Sequence, residues 1–121
     1  MKRIDWKQKF TELHCSFEMS QKLDQLLGLD PTQYSLSFDK DGELGDGAYL
    51  QELEKADTEK FYPALNMVEA MVLFYGVVPT EPEILIDQGQ YIVRCGYWET
   101  KNKLLVDAIC EMYIHLNTAL N

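Results

Sequence analysis

Residues 83–98 read EILIDQGQYIVRCGYW. Two short runs rich in β-branched and aromatic residues flank Gln88-Gly89, a pair suited to a tight turn. They predict an antiparallel hairpin of Glu83–Asp87 with Gln90–Trp98. Along the second strand Tyr91, Val93, Cys95 and Tyr97 share one face, and Ile92, Arg94, Gly96 and Trp98 the other. Large apolar groups on both faces place this strand in the middle of a sheet or at a subunit contact. The period then changes. Leu105, Ile109, Met112, Leu116 and Leu120 recur at helical spacing, and Val106 and Tyr113 widen the stripe. Thr100 is positioned to cap this helix, which runs to about Leu120.

Upstream, a second helix is expected from about Lys60 to Tyr75. Its cap would be Asp57 or Thr58, Pro63 would sit in the first turn, and Leu65, Val68, Met71, Val72 and Tyr75 would form an apolar face. Gly76 ends it. Residues 33–38 alternate, with Tyr34, Leu36 and Phe38 on one face and Ser35 and Ser37 on the other, as in a half-buried strand. Asp39-Lys40-Asp41-Gly42 is a hairpin turn signal, and Glu43–Leu50 supplies a return strand weakened by Gly45 and Gly47. Residues 4–28 are helical in pattern. Trp6, Phe10, Leu13 and Phe17 form one stripe, and Met19, Leu23, Leu26 and Leu27 a second, rotated by about 120°. Either both sides of this helix are covered, or it breaks near Cys15–Ser20 with Ser16 or Ser20 capping the second piece. Gly28 fits the C-terminal stop, and Asp30-Pro31 closes the element. The order is α-β-β-α-β-β-α. It describes one α+β domain over residues 1–121, a small antiparallel sheet of about four strands packed with three helices.

The 121 residues, 46% of them hydrophobic, suffice for one core. The formal charge is −9, and from Asp39 to Glu59 eight acids face two bases, so six of the nine units lie in that stretch. Such a balance argues against nucleic-acid binding and against docking on anionic membranes. No apolar run approaches the ~20 residues of a membrane span, and the basic start has no apolar stretch behind it, so a cytoplasmic protein without a secretory leader is expected. Cys15, Cys95 and Cys110 are odd in number and widely spaced, which fits reduced thiols.

The chain carries no constellation that points to catalysis. The 39–50 stretch resembles a calcium loop but fails its frame. Counted from Asp39, the sixth position is Leu44 and the twelfth Leu50; counted from Ser37, Gly42 falls correctly but the twelfth is Ala48. An acidic hairpin turn fits better. Gly42, Gly45 and Gly47 lack a phosphate-cradle pattern, and three cysteines with His14 and His115 match no zinc spacing. His14 adjoins Cys15, but adjacent helical side chains point about 100° apart, so a nucleophile pair would need a contact made by the fold, and surface or capping histidines fit better. Tyr91, Tyr97 and Trp98 could stack bases, yet the acidic balance favours packing or interface roles. No enzyme, cofactor or metal is expected.

Leu26-Leu27-Gly28-Leu29, followed by Leu36-Ser37-Phe38-Asp39-Lys40-Asp41-Gly42, resembles the first helix exit and first hairpin of the class I chaperones of type III secretion systems. Ile84–Val93 followed by Leu104–Leu120 resembles their last hairpin and final helix. That resemblance implies a small acidic cytoplasmic homodimer that holds an extended partner segment. Tyr62–Met71, Tyr91–Trp98 and Asp107-Ala108-Ile109-Cys110 are similar instead to a small αβα sandwich domain of phage and prophage proteins, whose function is not established.

The expectation is therefore a non-enzymatic protein-binding module, homodimeric because exposed sheet edges invite pairing with another chain. Its partner would be a protein, held in a groove of Leu23, Leu26, Leu27, Tyr34 and Leu36 with strand addition supplying backbone hydrogen bonds. The same five residues also fit an ordinary core, as apolar stripes usually do. The alternative is a phage-derived accessory protein, such as an acidic decoy that binds a basic host protein through Asp39–Glu59.

Overall fold

The computed structural model describes residues 2–3, 14–46 and 60–120. Contacts divide the chain into two compact units, residues 1–15 with 66–121, and residues 16–65. The described elements are α+β, with three α-helices and seven short strands in two antiparallel sheets. The class and the succession of elements are those expected. The strands are more numerous and are shared between two sheets rather than one.

In the unit of residues 16–65, α1 (Phe17–Leu27) begins where Ser16 caps it, its side chain accepting from the Met19 N–H at 3.1 Å. This is the Ser16 cap near Cys15–Ser20 anticipated above; Trp6, Phe10 and Leu13 of the first stripe lie outside the described residues, and Phe17 opens α1. Gly28 ends α1 at φ 63°, a left-handed conformation that favours glycine, and its N–H donates to the Asp24 carbonyl at 2.7 Å. A turn of 3-10 helix at Pro31–Gln33 shortens the expected strand to β2 (Leu36–Phe38). β2 pairs with β3 (Leu44–Asp46) across the Asp39–Gly42 turn, as expected, and on its other side with β4 (Tyr62–Pro63).

β4 corrects the expectation of a helix from Lys60. Residues preceding a proline are pushed toward extended backbone, and proline fits an edge strand because it has no N–H to donate. Ser37 is a second correction. It lies opposite Gly45 and Pro63 in the two ladders and is fully buried rather than turned to solvent. A central strand is covered on both faces, and small neighbours leave room for a small side chain.

In the unit of residues 1–15 and 66–121, α2 (Met67–Tyr75) starts at Asn66. The Asn66 side chain accepts from the Glu69 N–H at 2.8 Å, and the Glu69 carboxylate accepts from the Asn66 N–H at 3.0 Å. This reciprocal capping box, legible as Asn-x-x-Glu, replaces the expected caps at Asp57 and Thr58, which fall outside the described residues. The four-stranded sheet runs in the order β1 (Lys2–Arg3), β5 (Glu83–Asp87), β6 (Gln90–Cys95) and β7 (Trp98–Asn102). Gln88 at φ 51° and Gly89 at φ 76° form the turn between β5 and β6. The expected strand to Trp98 stops instead at Cys95. Gly96, at φ 62°, opens a second two-residue turn, and the chain returns as β7.

Thr100 therefore lies in a strand and caps nothing; its hydroxyl donates to the Ala108 carbonyl at 2.9 Å. The last helix, α3 (Leu105–Leu120), starts five residues beyond the expected cap. It packs on β6, β7 and α2. Leu105, Val106, Ile109, Met112, Tyr113 and Leu116 are all buried, as their spacing required. With Val93, Ile84, Met71 and Phe74 they make the interior of this unit.

Replacing Asn66 with Ala should lower stability by about 1 kcal/mol, because it leaves a helix-terminal N–H unsatisfied. Urea unfolding of the two proteins, followed by circular dichroism, checks this.

Candidate functional site

The five residues singled out for partner binding all belong to the unit of residues 16–65. Leu23 is fully buried and closes that unit's interior, whereas Leu26, one turn on, is 45% exposed. Leu27, Tyr34 and Leu36 are half-buried. The structure thus divides the five between interior and surface, with α1 turning Leu23 inward and Leu26 outward.

Polar ties fix this unit. The Ser20 hydroxyl, fully buried, donates to the Pro63 carbonyl and joins α1 to β4. Asp24, also buried, meets Lys60 Nζ at 2.7 Å. The Phe17 ring packs at 5.4 Å from Phe38 and 5.8 Å from Tyr62. Gly42, at φ 84°, lies so close to that ring that a Cβ there would sit 2.9 Å from it. The Asp39 carboxylate accepts from the N–H groups of Asp41 and Glu43 at 2.8 and 3.0 Å. It holds the hairpin turn, as the failed calcium frame implied. From residue 47 the acidic segment lies outside the described residues.

The His14 Nδ1 lies 2.8 Å from the Cys15 main-chain oxygen. The His115 ring packs edge-on against Trp98 at 4.2 Å. Among the described residues no cluster of three or more His, Cys, Asp or Glu is placed to hold a metal ion. None of their helices is long and apolar enough to cross a membrane. Burial pushes the Cys110 thiol well above the ordinary thiol range, and neighbouring Cys15, Asp107 and Glu111 act in the same direction. Cys15 is buried too, while Cys95 is partly open.

The surface carries two features that sequence reading missed. The first is the outer side of α2. Met67, Ala70, Met71 and Phe74 are buried, but Val68 is 49% and Val72 66% exposed. Val72 lies about 200° around the helix from Ala70, so the wide apolar face assigned from spacing wraps past the edge of the core. The second is the β6–β7 hairpin, where Tyr97 is fully exposed and Trp98 44% exposed beside His115. On the sheet face away from α3, Arg94 Nε donates to Glu99 at 2.7 Å and its guanidinium reaches Glu83 at 3.6 Å. That hydrogen bond holds the Glu99 carboxyl below its ordinary range.

No family model matches this sequence, and no curated protein or solved structure is similar to it.

Two outcomes follow from burial. In the folded protein at mildly alkaline pH, a thiol reagent should modify Cys95 first, with Cys15 and Cys110 reacting only as the chain unfolds, because neutral buried thiols are inert. Peptide mapping after timed labelling reads this, and equal rates at all three would contradict it. The Ser37 hydroxyl is buried without a hydrogen-bond partner among the described residues. Ser37→Ala should therefore cost no stability and can gain about 1 kcal/mol; a loss of that size in urea unfolding would show that the hydroxyl is bonded.

Proposed function

We propose that this chain is a non-enzymatic protein-binding module that docks an apolar segment of a partner protein on α2. One observation carries the reading, the exposure of Val68 and Val72. Of the nine residues of α2 only Glu69 is charged. A helix that is apolar all round belongs in an interior, where each aliphatic side chain gains roughly 1.5–3 kcal/mol on full burial. Here that gain is collected on one side of the helix and left open on the other. A partner that covers Val68 and Val72 would collect the rest.

The chemistry of the partner follows from the charge. With −9 overall, nucleic acid and anionic membranes are repelled, while an apolar protein segment with basic flanks is attracted. In the secretion-chaperone-like alternative, an extended segment is held instead within the unit of residues 16–65, by Leu26, Leu27, Tyr34 and Leu36. Leu23 stays with the interior.

The test is affinity capture from the native cell, with wild-type protein and the V68D/V72D variant as parallel baits. Both substitutions lie outside the buried stripe, so circular dichroism should be unchanged. Wild type should retain a stoichiometric protein that the variant loses at least about tenfold, since a charge in an apolar contact is costly. Identical captures would remove the reading. A small metabolite co-purifying in stoichiometric amount would point to catalysis instead.

A further inference from the structure

β7 is the outermost strand of its sheet, paired among the described residues only with β6. In the two-residue turn at Gly96-Tyr97 the closing pair, Cys95 and Trp98, exchanges backbone hydrogen bonds. The alternation then turns the N–H and C=O groups of Trp98, Thr100 and Asn102 toward β6. Those of Glu99 and Lys101 point outward, away from the sheet. Both side chains are open as well, 38% exposed for Glu99 and 55% for Lys101.

An outer strand of this kind can pair with its own copy about a two-fold axis, and its outward groups allow three registers. An axis at Glu99 sets two carboxylates directly opposite each other. An axis at Lys101 does the same with two ammonium groups. Only an axis at Thr100 sets Glu99 against Lys101 of the second copy, twice, and places each of these pairs where backbone hydrogen bonds are exchanged. Edge charges ordinarily block such pairing, but these two are arranged so that one register is complementary and its neighbours are repulsive.

We propose that two copies of this chain associate through β7, antiparallel and centred on Thr100, joining their four-stranded sheets edge to edge. The row of charges Glu83, Arg94 and Glu99 on each sheet then continues through Lys101 of the second copy. On the other face Trp98 lies across from Asn102 of the second copy. This proposal rests on the β7 edge and not on the α2 surface. Five residues of strand make a small interface, so the dimer is weak, with a dissociation constant on the order of micromolar or above.

Sedimentation equilibrium over a wide concentration range tests it, with circular dichroism as a check on folding. Wild type should dimerise. Lys101→Glu opposes two carboxylates and should weaken dimerisation by about tenfold or more. E99K, which opposes two lysines, should do likewise. A mixture of the two singly substituted chains should form the heterodimer, because each then meets the opposite charge at both pairs. The doubly swapped E99K/K101E chain should recover self-association for the same reason. A wild type that stays monomeric throughout would overturn the proposal. So would a dimer indifferent to K101E, or substituted chains that fail to pair with each other. None of these outcomes depends on capture of a partner through α2.

Discussion

The unit of residues 1–15 and 66–121 depends on the covering of β6 from both sides. Val93 is fully buried on the face that carries Trp98, Thr100 and Asn102, and Ile92 is 2% exposed on the other. α3 lies over the first face, and the grip is polar as well as apolar. Thr100 bonds the Ala108 carbonyl, Asn102 donates to Glu111 at 2.9 Å, and Trp98 meets His115. These three residues alternate along β7, so one strand face is tied to the helix along its length. A buried strand of this kind tolerates no slip, because a shift of one residue would turn Arg94 into the apolar side.

The unit of residues 16–65 is built differently. Among the described residues its strands are two or three residues long, and its three-stranded sheet offers little apolar face. Specific ties supplement the hydrophobic contacts: Ser20 to Pro63, Asp24 to Lys60, and the Phe17 ring against Gly42, Phe38 and Tyr62. Short elements gain little from propensity or length, so fixed polar and ring contacts carry more of the burden of uniqueness.

The two surfaces assigned to contacts differ in physical kind. The outer side of α2 is apolar, non-directional and tolerant of the shape of what covers it. The β7 edge is directional, because backbone groups and alternating charges accept only certain registers. The first suits affinity for an apolar segment, and the second suits selection of a copy of the same strand. A chain with charge −9 needs such local complementarity to self-associate, since its net field opposes the approach of a second copy.

The patterns that proved legible were those in which one local force dominates. The stripe of α3 was readable because a helix has a single period, and Leu105, Ile109, Met112 and Leu116 are buried at that spacing. The Gln88-Gly89 turn and the Gly28 stop were readable because glycine accepts a left-handed backbone few other residues adopt, and the Ser16 cap because its hydroxyl can accept from a helix-terminal N–H. The capping box at Asn66-Glu69 was equally visible, but Pro63 drew the expected helix start upstream. The second hairpin was hidden by Tyr97 and Trp98 directly after Gly96, which made a turn look like continued strand. The sequence by itself thus determined an α+β chain, its reduced-thiol pattern and its acidic balance, because these follow from residue type and local period. Only the tertiary structure decided which apolar residues stay outside, turning Leu23 inward and leaving Leu26, Val68 and Val72 open, because exposure depends on which neighbours arrive to cover a face. It alone made β7 an edge, since a strand is central or outermost only by reference to strands elsewhere in the chain.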